Sequence, residues 1–224
     1  MNNSSNNGSS DEGEEHGELV WNEFDWERYL RQRDEALVEY ARSYDQVADC
    51  TDRLDEVARL LGWEPTLDGE VEGASDDDDF DDDDLDPYTL HRNPVYVATR
   101  ALFAGLLRTV ESHATAGQLA PATAFPLLNN LHQAELAVVL GVQSLDLGDS
   151  ALGISQLKRA LGLLNAAMGR LPEAEAPVNS ADATATPSLS AYALPRLFDL
   201  REICLRVVRE CREELRRPLD DDEE

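Results

Sequence analysis

His132 and Glu135 stand three residues apart in the most apolar part of the chain, and Glu111 and His113 lie two apart shortly before them. A Glu and a His three apart on one helical face are the ligands from which carboxylate-bridged metal sites in helical bundles are built. In this chain the pair runs in the reverse order and occurs once, and the flanking segments supply no second copy. Glu111 and His113, two apart, fall on different faces of a helix. The expected role of His132 is therefore that of a core or half-exposed histidine. A bundle with an internal metal or small-molecule site near His132 and Glu135 is the alternative. No GxGxxG, phosphate-binding loop or Ser/His/Asp ordering is present. The expectation is a protein without a cofactor and without catalytic activity.

Two charged stretches could bind rather than react. The Asp-rich run at 76–86 attracts divalent cations only weakly, because an EF-hand loop needs Gly at its sixth position and Glu at its twelfth. Counted from Asp77 those positions hold Asp82 and Tyr88. Arg206, Arg209, Arg212 and Arg216 recur at three- and four-residue spacing, which aligns them along one helix face. Glu202 precedes Arg206 by four and Arg209 precedes Glu213 by four, so part of this charge is neutralised locally. The remainder suits an anion, either the chain's own Asp run or an acidic partner. The segment LDEVARLLGWEP at 54–65 resembles the opening helix and turn of a helix-turn-helix DNA-binding motif. A basic recognition helix should follow. Asp68, Glu70, Glu72 and the Asp run follow instead, which removes the resemblance's implication.

The charge balance points the same way. The net charge is -27, yet residues 1–20, 64–87 and 218–224 hold half of the 46 acidic residues and no Lys or Arg. What remains is close to neutral. A net-negative chain is not expected to bind nucleic acid or anionic membrane, since both affinities come from Lys and Arg. No signal peptide and no membrane-spanning run is legible, so the expected location is cytoplasmic. Cys50, Cys204 and Cys211 make no disulfide framework and read as reduced thiols.

The elements that must position these residues are helices. Trp26, Leu30, Arg33, Leu37, Tyr40, Tyr44, Val47, Thr51, Leu54, Ala58 and Leu61 follow an alternating four-three spacing, mostly apolar, capped by Gly62. This predicts a long heptad-bearing first helix, or a helix pair if Asp49, Cys50, Thr51 and Asp52 break it. An unbroken helix of roughly 54 Å would overhang helices of 33–38 Å and leave a seam to be covered. Asn93-Pro94 opens the second helix. The third should run from about Thr123 to Leu147, and its unbroken apolar stretch from Leu136 to Val142 predicts burial on most sides. Gly148 with Asp149 or Ser150 turns into the fourth, ending near Leu171. The fifth should begin near Leu194 or Pro195 and stop at Arg217-Pro218.

The resulting expectation is an all-α helical bundle of four to five helices with disordered acidic segments. Its parts are a leader at 1–20, the amphipathic helix at 21–63, an acidic linker at 64–87 and a three-helix antiparallel core at 88–171. A flexible linker at 172–190, a C-terminal helix at 191–217 packed on the bundle and an acidic tail at 218–224 complete it. The function that best fits is a protein–protein interaction module (adaptor, scaffold or regulator). Its partner, or a second copy in a homodimer, would meet Leu30, Leu37, Tyr40, Tyr44 and Val47 on the first helix, or the four arginines. An acidic mimic of nucleic acid is a further alternative.

Overall fold

A computed structural model describes residues 21–63, 92–174 and 188–216. The leader, the acidic linker with its Asp run, the 175–187 stretch and the tail lie outside the described residues. Among those described there are six helices and no strand. They are α1 (Glu23–Gln46), α2 (Arg53–Leu60), α3 (Pro94–Thr115), α4 (Pro121–Asp146), α5 (Ser150–Ala174) and α6 (Leu189–Glu214). Four to five helices were expected; the extra one comes from a break in the first.

The N-terminus of α1 is set by a capping box, in which the Asn22 side chain accepts from the Phe24 and Asp25 amides and Asp25 accepts from the Asn22 amide. The helix stops at Val47, where Ala48, Asp49, Cys50, Thr51 and Asp52 favour a turn. So there is no long overhanging first helix. Tertiary bonding fixes the break. Arg53, the first residue of α2, sends Nε to Asp199 Oδ2 at 2.5 Å and Nη2 to Asp199 Oδ1 at 3.2 Å. Tyr44, from the last turns of α1, donates its hydroxyl to the same Oδ2 at 2.5 Å. Asp199 thus holds both sides of the break onto α6. Arg206 of α6 pairs with Asp55 of α2, and Arg196 pairs with Asp45 of α1. The Arg196 guanidinium also lies 3.7 Å from the ring centroid of Tyr192 and 5.1 Å from that of Tyr44.

Local chemistry explains several of the other boundaries. Asn93 Oδ1 accepts the Tyr96 amide at 3.0 Å, with Pro94 as the first helical residue of α3. Asp149 Oδ1 accepts the Leu152 amide at 2.9 Å and starts α5. Gly62, Gly117 and Gly148 end α2, α3 and α4 with positive φ, the conformation a Cβ disfavours. Two starts lie upstream of expectation. α4 begins at Pro121, so Pro126 lies in its second turn, and α6 begins at Leu189, so Pro195 lies inside it.

α3 packs on α4, α4 on α5, α5 on α6 and α6 back on α3, while α1 lies along α3. The core is aliphatic, with Phe103, Leu106, Leu127, Leu131, Leu157, Leu164, Leu197 and Leu200 almost wholly enclosed. α4 and α5 make the closest pair because both carry glycine at the crossing. A Cβ on Gly141 would meet Leu157 Cγ at 3.1 Å, and one on Gly153 would meet Leu145 Cδ2 at 2.6 Å. Gly105 makes room in the same way for the Tyr192 hydroxyl, which a Cβ would meet at 2.8 Å. Close approach of α4 and α5 is the reason at Gly141 and Gly153, whereas Gly105 lines a groove with Tyr192 and Arg196; nothing in the structure explains Gly162.

Burial has a consequence for alkaline stability. Burial pushes the Tyr40 phenol well above its ordinary value, helped by Tyr44 and Asp199; burial also raises Tyr44, helped by its hydrogen bond to Asp199. A raised folded value means the stabilisation is complete below the unfolded value of about 10 and is lost as pH rises toward the folded one. Phenolate absorbance and loss of helical circular dichroism are therefore expected to rise together above about pH 10. Tyr40 and Tyr44 titrating at the ordinary value with the helices intact would contradict this burial.

Candidate interaction surface

α4 is the least charged of the long helices. Between Pro121 and Asp146 it carries two acidic side chains, Glu135 and Asp146, and no Lys or Arg. Its inward side, from Ala124 through Leu127, Leu131, Ala134, Val138 and Val142, is buried against α3 and α5. Its outward side is apolar as well. Phe125 is 71% exposed, Leu136 51%, Leu140 39% and Leu147, the C-cap, 85%. Burial of the Leu136–Val142 stretch on most sides was expected; Leu136 and Leu140 instead face outward. The reason is that α3 and α5 occupy only one half of the helix's circumference, and nothing described covers the other half.

The exposed residues form one line. Phe125, Leu136 and Leu147 are successive steps of eleven residues, three turns plus about 20° on a helix of 3.6 residues per turn. Leu140 stands one turn from Leu136 on the same side. The polar members of the line, Asn129, His132 and Gln143, are exposed, and none of them is a permanent charge. From Phe125 to Leu147 the line is roughly 33 Å long. Single exposed apolar residues are ordinary on a protein surface; here four share one side of a helix, with Asn129, His132 and Gln143 between them.

His132 and Glu135 do come together, but Glu135 is not free to bind a metal. Its Oε1 accepts from Arg100 Nη1 of α3, and its other oxygen lies 4.0 Å from His132 Nδ1. Glu135 is nearly enclosed while the imidazole is mostly exposed. Arg100 thus supplies the positive charge that a metal would have had to supply. No group of three or more His, Cys, Asp or Glu able to hold a metal ion occurs among the described residues.

The other proposed contact residues separate into buried and open. Tyr40, Tyr44 and Val47 belong to the core, and Leu37 packs against it half-buried. Tyr40 stacks on Trp63 with centroids 5.7 Å apart and 16° between planes. These residues are therefore spent on the fold itself, and of the α1 set Leu30 alone keeps substantial exposure. On α6, Arg206 is engaged by Asp55 and by Glu202, the latter at 3.0 Å as its spacing foretold. Arg209, Arg212 and Arg216 are exposed. Cys204 is buried and its thiol is pushed up to about 12, while Cys50 is exposed.

The α4 line went unseen in the sequence because both sides of the helix are apolar. A helix without a polar face has no phase from which to tell inside from outside. No spacing in the sequence separates this side from the buried one, since Ala124, Leu127, Leu131, Ala134, Val138 and Val142 recur at the same three- and four-residue intervals.

No described helix is long and apolar enough to cross a membrane. No family model, curated protein or solved structure matches this chain.

Proposed function

We propose that this chain is a protein–protein interaction module, an adaptor, scaffold or regulator without catalytic activity, built as a helical bundle that presents α4. One observation carries the reading: a 26-residue helix with two charges, one of them turned inward to Arg100, leaves an apolar line in solvent. Exposing that line costs solubility and, by transfer of apolar area, a few kcal/mol that a partner would recover. The partner surface sits on α4 and not on α1, because the α1 seam is used internally at Tyr40, Tyr44 and Val47.

A second reading keeps the α6 stripe. Arg209, Arg212 and Arg216 remain exposed and would suit an acidic partner. Photo-crosslinking in the cell of origin separates the two. A benzophenone side chain at Leu140 is expected to give a discrete protein adduct, and one at Arg212 is expected to give none. An adduct at Arg212 alone moves the function to α6. No adduct at either position overturns the interaction reading.

A further inference from the structure

We infer that the outer face of α6 is the docking place of this chain's own Asp-rich run at 76–86, bound within the same molecule. The composition of the face carries the inference. Phe198, Arg201, Leu205, Arg209, Arg212 and Arg216 fall within an arc of about 80°, at roughly 100° per residue. Phe198 is 53% exposed and Leu205 39%, and Arg209, Arg212 and Arg216 are open to solvent. No acidic residue of α6 lies inside the arc. Glu202 and Glu213 border it on one side, and Glu202 is turned away to Arg206 at 3.0 Å. Among the described residues no carboxylate pairs with Arg201, Arg209, Arg212 or Arg216. Arg206, farther round the helix, is held by Asp55. Two apolar side chains set among four such cations suit a ligand that is acidic and apolar at once.

The chain contains such a ligand. From 76 to 86 every residue is Asp except Phe80 and Leu85. Carboxylates this dense repel one another, so arginines that meet them relieve the repulsion as well as adding attraction. Phe80 and Leu85 find apolar counterparts in Phe198 and Leu205, and an aromatic pair gains more than its buried area alone. The lengths agree as well. Extended, the run spans roughly 33 Å, and the face from Phe198 to Arg216 spans roughly 27 Å.

The ends of the segment put it within reach. Trp63, where the chain leaves the described residues, and Pro94, just after it returns, line one groove with Arg206, Val207 and Glu210 of α6. From Trp63 to Asp76 the chain can cover roughly 43 Å, and from Asp86 to Arg92 roughly 20 Å. Docking is therefore intramolecular, at an effective concentration on the order of millimolar, where weak contacts suffice. A separate acidic protein would compete with this tethered run for α6, whereas α4 stays open.

The test places a benzophenone side chain at position 80 of the full chain, Phe80→p-benzoylphenylalanine, and maps the adduct after irradiation of the purified protein. The expected product is one chain of 24.8 kDa, crosslinked within itself to α6 between Phe198 and Arg216. Raising the salt to about 1 M, where the screening length is about 3 Å, is expected to lower the yield roughly fivefold. Arg209→Glu combined with Arg212→Glu should lower it as much at low salt. Helical circular dichroism should be unchanged, because both positions are exposed. Phe198→Ser should lower the yield at either salt. No adduct, an adduct outside α6, or one joining two chains overturns the proposal. So does an α6 adduct whose yield is indifferent to salt and to these variants.

Discussion

Asp199→Ala is expected to lower the unfolding free energy by about 3 kcal/mol, a large part of the stability of a domain this size. The carboxylate accepts three hydrogen bonds, from Tyr44 and twice from Arg53. Its removal leaves the Arg53 guanidinium with the Tyr44 hydroxyl at 3.1 Å and two longer contacts to carbonyls, Ala48 at 3.3 Å and Pro195 at 3.4 Å. Both charged side chains are less than a fifth exposed. Stranding a well-buried ion costs 3–5 kcal/mol, and the residual exposure of Arg53 puts this site at the lower end. Urea titration checks the value. The cycle with Arg53→Ala checks the cause, because removing both partners should cost less than the sum of the single losses. A loss below about 1 kcal/mol would mean that α2 is held mainly by Asp55 and Arg206.

The second large effect is a reversal of sign. Leu157→Ala is expected to destabilise by 2–5 kcal/mol, since Leu157 is wholly enclosed between α4 and α5. Gly141→Ala in the wild-type background should also destabilise, because the new Cβ would stand 3.1 Å from Leu157 Cγ. In the Leu157→Ala background that contact is gone. Gly141→Ala should then stabilise by up to about 1 kcal/mol, the helix propensity that glycine had forgone. The coupling between the two positions follows from thermal or chemical unfolding of the four proteins. Additive effects would show that α4 and α5 already have room to separate at this crossing.

The parts of the fold that the sequence announced are those set by neighbouring residues. Asn93-Pro94, Gly62 and Gly148 fix helix ends through their own backbone chemistry, and they are where the residue types place them. The interruption at residues 47–52 was legible as a weakness in the helix. Whether it opened depended on Asp199, which lies 146 residues from Arg53 in the chain. Ser188 is the corresponding case at α6. Its hydroxyl accepts the Ala191 amide at 3.3 Å and starts the helix, yet the surrounding Pro, Ala, Ser and Thr residues look like linker. For the surface, neighbours in sequence decide nothing: α4 is apolar all round, and its exposed side is chosen by where α3 and α5 dock. The arginine stripe was readable as a face, but that Arg206 would be spent on Asp55 was not, because the partner is 151 residues away.

The clasp made by Tyr44, Arg53 and Asp199 also orders events in time. Arg53 leaves the ribosome 146 residues before the carboxylate it binds, about 7–30 s at ordinary rates of synthesis. The Asp45–Arg196 and Asp55–Arg206 pairs wait as long. α3, α4 and α5 meet through short turns and can collapse on one another in the interval. α1 can lie against α3 in that interval, but the break between α1 and α2 is not fixed until α6 emerges with Asp199, Arg196 and Arg206.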